Sequence, residues 1–231
     1  MLRTTTLILC LLGAMGTVSA QHARFGLKAG LNASTCSRVS KPDYRVGATA
    51  GIFLRQPLSA HLALQPELLY EQRGVRLTQE GSLGWEGSGG YFVHQEGSRF
   101  HYLSMPVLMR GQVGKFFALA GPQLSFLAAA RRRTTTEYVL PYDNGIVLPY
   151  PPSESIGSMA SYQRWELGYV VGAGYAVSPR LAVEIRYAAG LTNLHKPYEA
   201  LAYPDLRWPD VLGQARNRSW QAQMSYQLGA L

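Results

Sequence analysis

Cysteine is almost absent from this chain, which contains only Cys10 and Cys36. Cys10 lies in residues 1–20, where Arg3, the apolar run TLILCLLGAMG and the small residues VSA have the pattern of a secretory signal peptide that is removed after Ala20. Residues 21–231 then form the mature chain, predicted to be a single domain. Because Cys36 is its only cysteine, an internal disulfide is excluded, and we expect a free thiol in the first outer loop.

Long hydrophobic runs are also missing. Beyond residue 20, the longest stretch without a charged residue is 116–130, which has 15 residues. A helix needs about 18 or more apolar residues to cross a membrane. The sequence therefore predicts no membrane-spanning helix.

Acidic residues are few relative to basic ones. Residues 1–20 contain one arginine and no acid, so 21 basic and 14 acidic residues remain in 211 positions. A basic chain could bind nucleic acid. However, the only basic run is Arg131, Arg132 and Arg133, no stacking aromatics interleave it, and export argues against that partner. We expect no nucleic acid.

Residues 163–191 show most clearly an alternation, with a period of two, between apolar residues and polar residues or glycine. Two arms in this stretch are joined by a Val-Ser-Pro-Arg turn. On one parity the first arm carries Trp165, Leu167 and Tyr169, and the second arm continues in the same way from Leu181. Strands of soluble sandwiches have about 5 to 6 residues. Each arm here sustains the alternation for 11 or more residues, the length of a tilted membrane strand.

Similar segments recur along the mature chain. Together with the two arms of that hairpin, they make eight strands: 23–33, 44–56, 61–72, 100–110, 116–130 and 218–229 are the other six. The connections alternate between about five residues and about ten to thirty residues, with long loops at 73–98, 131–162 and 193–216. The predicted fold is all-β: an eight-stranded antiparallel up-and-down transmembrane β-barrel with short periplasmic turns and long outer loops. A soluble lipocalin-like barrel is the structural alternative.

Two details refine this prediction. Pro66, Pro106 and Pro122 lie inside strands, so we expect β-bulges there. Aromatic residues on the lipid-facing parity fall at the two ends of the strands and predict two interfacial girdles. The outer girdle is Tyr44, Tyr70, Trp165, Tyr187 and Trp220, and the periplasmic girdle is Phe25, Phe116, Tyr175 and Tyr226.

Several motifs carry a family resemblance. GLKAGLN, LQPELLYEQRG, YLSMPVLMR, FALAGPQLSFL and LGYVVGAGY with RLAVEIRYAAGLTNL occur in this order over nearly the whole mature chain. They resemble the PorT-like outer-membrane β-barrel proteins of Bacteroidetes-type bacteria. The resemblance implies an eight-stranded barrel in the bacterial outer membrane, and one branch of these proteins is linked to protein secretion.

Charged residues on the inward parity predict a filled lumen. Eight strands enclose a space that side chains just fill, and buried charges are costly unless they are paired. We expect a structural network centred on Glu67, Glu184 and Arg186. Its members are Lys28, Arg45, Glu67, Glu71, Arg110, Glu166, Glu184 and Arg186.

The favoured function is a non-enzymatic role, either structural or in loop-mediated binding at the cell envelope. Expected partners are outer-membrane lipids, the barrel-assembly machinery and an unknown loop-binding partner. Arg131, Arg132 and Arg133 could contact anionic lipopolysaccharide phosphates at the outer rim. No cofactor is expected.

Two other functions stay open: an accessory of secretion or transport, and a lipid-modifying enzyme. An enzyme could use Ser104 with His101 or His94, but Ser104 and His101 should point to opposite faces of a strand. His94, Glu96 and His101 are close in sequence without a metal-ligand spacing, so no metal site is expected.

Overall fold

Eight long strands form a closed ring in the computed structural model, which describes residues 23–37, 42–83, 90–139, 147–149, 153–155, 162–194, 196 and 214–230. The predicted signal peptide, residues 1–20, lies outside the described residues. The strands are β1 (Arg24–Ser37), β2 (Pro42–Pro57), β3 (Leu62–Leu83), β4 (Gly90–Val113), β5 (Phe116–Val139), β6 (Val147–Pro149), β7 (Ser153–Ser155), β8 (Trp165–Ala176), β9 (Leu181–Gly190) and β10 (Arg216–Ala230).

Every long strand pairs antiparallel with two neighbours. β1 to β5 follow one another around the ring, β8 pairs with β5, and β10 closes the ring against β1. The short strands β6 and β7 lie against the far part of β5. The predicted eight-stranded up-and-down barrel is therefore confirmed. No helix within the described ranges is long and apolar enough to cross a membrane.

Three short turns lie at one end of the barrel, which we call the periplasmic end. They are 58–61, 114–115 and 177–180. The two-residue turn between β4 and β5 requires Gly114, whose φ of 59° is in the left-handed region that residues with a Cβ rarely adopt. Turns this short pin the register of each hairpin.

The two faces of the sheet have opposite polarity. Outward-facing side chains such as Leu31, Val46 and Ile185 are exposed, whereas inward-facing polar side chains such as Gln65 and Gln221 are buried. A soluble barrel would have its apolar face inside, so the lipocalin-like alternative is wrong.

Aromatic residues ring the outward face near both ends of the membrane-facing part. At the outer end, the rings of Tyr187 and Trp220 lie 5.0 Å apart, centroid to centroid. At the periplasmic end, the rings of Phe116 and Tyr175 lie 5.1 Å apart. Each of these contacts joins two neighbouring strands.

The prediction that 73–98 and the start of 131–162 are loops is wrong. β3 continues to Leu83, β4 begins at Gly90 and β5 continues to Val139, so three strands of 22, 24 and 24 residues project beyond the outer girdle. We call residues 71–83, 90–102 and 127–139 the projecting wall. Its inner face packs an apolar cluster that includes Val75, Phe100 and Leu127. Outside the membrane the other face needs no apolar residues, so these strands lack the strong alternation of the others.

The expectation of bulges at the internal prolines is also wrong. Pro66 pairs with Val107, Pro106 pairs with Gln123 and Pro122 pairs with Tyr169, all without a register shift at the proline. The shifts lie elsewhere, for example between His101 and Tyr102 of β4. The ladder instead lacks two residue pairs beside Pro66 and two beside Pro106, and the register then resumes. A local gap suffices because a proline removes one donor without adding a residue.

The placement of Cys36 in an outer loop is wrong as well. Cys36 belongs to β1, is 1% exposed and lies in the apolar cluster at the outer end of the lumen. Its Sγ is 3.8 Å from Oδ1 of Asn217 on β10. The thiol is free but closed off from solvent.

We therefore expect a membrane-impermeant maleimide to leave Cys36 unlabelled in the folded protein and to label it fully after denaturation, as read by mass spectrometry. Ser82→Cys in a Cys36→Ala chain is the control, because Ser82 is exposed on the projecting wall. Rapid labelling of Cys36 in intact cells would contradict the inward orientation of the end of β1.

The lipid-facing register predicts a depth-dependent cost of charge. Val171 lies near the middle of β8 and is 44% exposed, and Val177, in the next turn, is 47% exposed. Val171→Arg should lower the free energy of unfolding by about 2–4 kcal/mol, and Val177→Arg by about 0–1 kcal/mol, because the cost falls towards the interface. Reversible unfolding in lipid vesicles measures both values. Equal costs would contradict the register.

Candidate functional site

A buried ion-pair network crosses the lumen between strands that are not neighbours. The Arg186 guanidinium donates to both carboxylate oxygens of Glu67, at 2.7 Å each, and also lies 2.7 Å from Glu184. Lys28 Nζ donates to Glu67 at 2.7 Å and to Glu184 at 2.6 Å. We call these four residues the lower network. It holds two acids and two bases, so its charges balance without solvent.

The lower network requires space beside Arg186. Gly172 of β8 provides it, because a Cβ at this position would approach Arg186 Cγ to 2.9 Å and the Ile185 carbonyl oxygen to 2.7 Å. Gln65 extends the network towards the periplasmic end: its amide donates to Glu67 at 2.6 Å, and its oxygen accepts from Arg55 Nε at 2.9 Å.

A second cluster, the upper network, lies nearer the outer end. Arg73 donates to Glu71 at 2.5 Å and to Glu166 at 2.7 Å. Gln221 donates to Glu71 at 2.6 Å, and Asn217 donates to Glu166. Here Arg73 alone forms ion pairs with two carboxylates, one on β3 and one on β8.

Arg73 was not predicted as a member of the charge network, because the strand predicted at 61–72 ends one residue before it. The signal was present, since Glu71, Arg73 and Val75 continue the inward parity. Above the upper network, the apolar cluster around Phe100 and Leu127 fills the lumen.

Two predicted members of the charge network lie apart from it. Arg45 is only partly buried near the outer end, with its Cδ close to where a Cβ on Gly74 would lie. Arg110 is buried near the periplasmic end, where its guanidinium carbon lies 3.3 Å from the ring centroid of Phe117. Neither is in an ion pair with another described residue.

The residues considered for catalysis do not form a nucleophile and base pair. Ser104 is buried in the lumen, where its hydroxyl donates to Glu71 and lies 2.9 Å from Ser125 Oγ. His101 lies on the outward face, with Nδ1 2.6 Å from the Tyr70 hydroxyl. His94 is ten residues from Ser104 along β4, roughly 33 Å in an extended strand. In the part of the chain described, no three His, Cys, Asp or Glu side chains are grouped to hold a metal ion.

The three consecutive arginines lie within β5, with different orientations. Arg131 and Arg133 are exposed on the outer face of the projecting wall, whereas Arg132 is in an ion pair with Glu96. Arg131 lies directly opposite Arg99 on β4. Arg76 of β3 is also exposed on this face, near Arg99 in the register.

We call Arg76, Arg99, Arg131 and Arg133 the basic patch. None of them is in an ion pair with another residue in the described ranges. The patch begins just above the outer girdle, because Arg99 pairs with Gly74, four residues beyond the girdle residue Tyr70 on β3. Of these four residues, only Arg131 and Arg133 were predicted from the sequence to lie at the outer rim. Arg76 fell within the predicted loop 73–98, and Arg99 fell between that loop and the strand predicted at 100–110.

Comparison with solved structures finds other outer-membrane barrels. The neisserial surface protein A structure is 12% identical, with a TM-score of 0.42, and the match covers 90% of this chain and 100% of that one. Ail, the attachment invasion locus protein of Yersinia pestis, is 8% identical with a TM-score of 0.40 and the same coverage. CarO2 of Acinetobacter baumannii is 10% identical with a TM-score of 0.36, covering 88% of this chain and 99% of that one.

No curated protein matches the sequence. Residues 19–196 match the outer membrane protein beta-barrel domain family. This range includes all long strands except β10, whose pairing with β1 closes the ring. The chain therefore belongs to the outer membrane protein β-barrel domain family, and it is a protein of the bacterial outer membrane.

Proposed function

We propose that this protein is a non-enzymatic envelope barrel that binds the phosphate groups of lipopolysaccharide through the basic patch. The observation that carries the proposal is the direct cross-strand pairing of Arg99 with Arg131 on an exposed face. Like charges directly opposite each other destabilise a sheet. A bound anion between them removes that cost.

The height of the basic patch favours lipopolysaccharide as the source of the anion. Arg99 lies level with Gly74, about 13 Å along the strand from Tyr70 of the outer girdle, at a rise of about 3.3 Å per residue. Guanidinium groups pair with phosphate through two parallel hydrogen bonds. A rigid sheet is also a better platform than a loop, because binding then orders few additional residues.

Within the family, the five ordered motifs favour assignment to the PorT-like barrels. The same proposal includes insertion by the barrel-assembly machinery, which a closed barrel of exported strands requires as its partner.

The contacts of Ser104 favour a non-enzymatic role. Its hydroxyl is hydrogen-bonded to Glu71 and Ser125 inside the lumen. Among the residues that the structure describes, the projecting wall extends beyond the outer girdle, so it is a surface that an outer binding partner would contact.

Removing charge from the basic patch should weaken binding to lipopolysaccharide. In nonionic detergent, Arg99→Gln with Arg131→Gln should bind immobilised lipopolysaccharide about 10-fold more weakly than the native chain, and added salt should shrink the difference. Lys115→Gln with Lys196→Gln is the matched control, because it removes two exposed charges that lie outside the basic patch. If the control loses as much affinity, binding depends on net charge and the proposed site is wrong.

The filled lumen predicts that the barrel does not conduct. Eight strands leave room only for side chains, and here the two networks and the outer apolar cluster occupy it. Planar-bilayer recording of the refolded native chain should show no stable unitary conductance. Glu67→Ala with Arg186→Ala removes the centre of the lower network and should raise ion leakage. Stable, ion-selective conductance by the native chain would favour a transport role instead.

A further inference from the structure

The periplasmic mouth of the lumen is a pocket whose charged lining residues are all positive. It has a volume of about 160 Å³. Four arginines on four different segments line it, namely Arg24, Arg55, Arg110 and Arg180, and no carboxylate does. A water molecule occupies about 30 Å³ in the liquid, so the pocket has room for a phosphate group with a few waters.

Arg110 is the deepest of the four arginines and the least satisfied. It is 2% exposed, and its Nη2 donates to Gln112 Oε1 at 3.1 Å. Its Nε and Nη1 are buried and have no hydrogen-bond partner among the described residues. A buried guanidinium with unpaired N–H groups is costly, and such groups in native proteins have an acceptor.

The lumen's own carboxylates do not fill this role. Glu67 and Glu184 each form ion pairs with both Lys28 and Arg186 in the lower network. Glu184 Oε2 has no hydrogen-bond partner among the described residues, and it does not accept from Arg110. Arg110 and Arg55 therefore add positive charge below a network that is already balanced. Arg55 also lies directly opposite Arg24 in the β1–β2 register, so repulsion extends to the rim.

A hydroxyl donor at the rim completes the polar lining. Ser178 lines the pocket, and its Oγ accepts hydrogen bonds from the backbone N–H groups of Arg180 and Leu181, at 3.3 and 3.1 Å. Since its lone pairs are used in this turn, its hydrogen is free to donate into the pocket.

We propose that this mouth is a phosphate-binding site. Arg110 and Arg55 hold the anion from inside, Arg180 and Arg24 close over it from the rim, and the Ser178 hydroxyl donates a further hydrogen bond. The bound group is free phosphate or the headgroup of an anionic phospholipid, since both offer the same oxygens. The site lies at the opposite end of the barrel from the basic patch and does not depend on the function proposed for that patch.

Titration of inorganic phosphate tests the site directly. Isothermal titration of the refolded chain in nonionic detergent, at fixed ionic strength and with chloride as the reference anion, should show saturable binding of phosphate. Arg110→Gln should weaken it about 10-fold or more, and Arg180→Gln by a smaller factor. Lys115→Gln is the matched control: Lys115 is exposed in the neighbouring 114–115 turn and does not line the pocket.

Folding of each variant is checked by the faster migration of unheated barrel in detergent gels. If Arg110→Gln does not fold, Arg180→Gln still decides the matter, because Arg180 is an exposed turn residue. Absence of saturable binding to the native chain, both for phosphate and for phosphatidylglycerol, overturns the proposal. So does an equal loss of affinity in Lys115→Gln.

A second arm identifies the source of the phosphate. Detergent micelles with and without phosphatidylglycerol are compared by native mass spectrometry of the intact barrel. Retained phosphatidylglycerol that is lost in Arg180→Gln and kept in Lys115→Gln supports the site with a lipid as its source. Binding of inorganic phosphate with no retained lipid supports the site with a soluble anion as its source.

Discussion

The closed hydrogen-bond ladder is the constraint on which the rest of this structure depends. In the hydrocarbon region no water can satisfy backbone N–H and C=O groups, so a sheet must close on itself. The pairing of β1 with β10 closes it here. Once the ring closes at eight strands, its interior is only as wide as the side chains that fill it. Every inward residue then has to find its partner across a narrow space.

That narrow space explains the arrangement of charges in the lumen. Glu67 on β3 and Arg186 on β9 are 119 residues apart in sequence but make two hydrogen bonds. Charges this deeply buried are tolerated only in pairs with good geometry. Ion pairs join all four residues of the lower network. Arg110, towards the mouth, is in no ion pair with another described residue, and two of its N–H groups have no partner there. Positive charge therefore gathers at the periplasmic mouth and, independently, on the outer face of the projecting wall.

The projecting wall shows how the membrane shapes a sequence pattern. Within the bilayer, each outward residue must be apolar, so alternation is strong and β8, β9 and β10 were all recognised. Beyond the outer girdle only the inward face is constrained, and it packs Val75, Phe100 and Leu127. Its outer face carries arginine, glycine and glutamate, a composition that is typical of loops. Arg76 and Arg99 went unnoticed for this reason, although they complete the basic patch begun by Arg131.

The sequence by itself determined the class of fold, the compartment and the side of the sheet on which most residues lie. These depend on a local property, the period of two along a strand, together with the length of each strand and each turn. Only the tertiary structure decided which inward charges meet, that Cys36 is enclosed, and that Arg110 lies apart from the carboxylates. These depend on the register between strands and on ring closure, which bring together residues distant in the chain. The alternation of apolar and polar residues shows whether a side chain faces inward or outward. It does not show how far along the barrel axis the residue lies, and that position decides which inward residues can meet across the lumen.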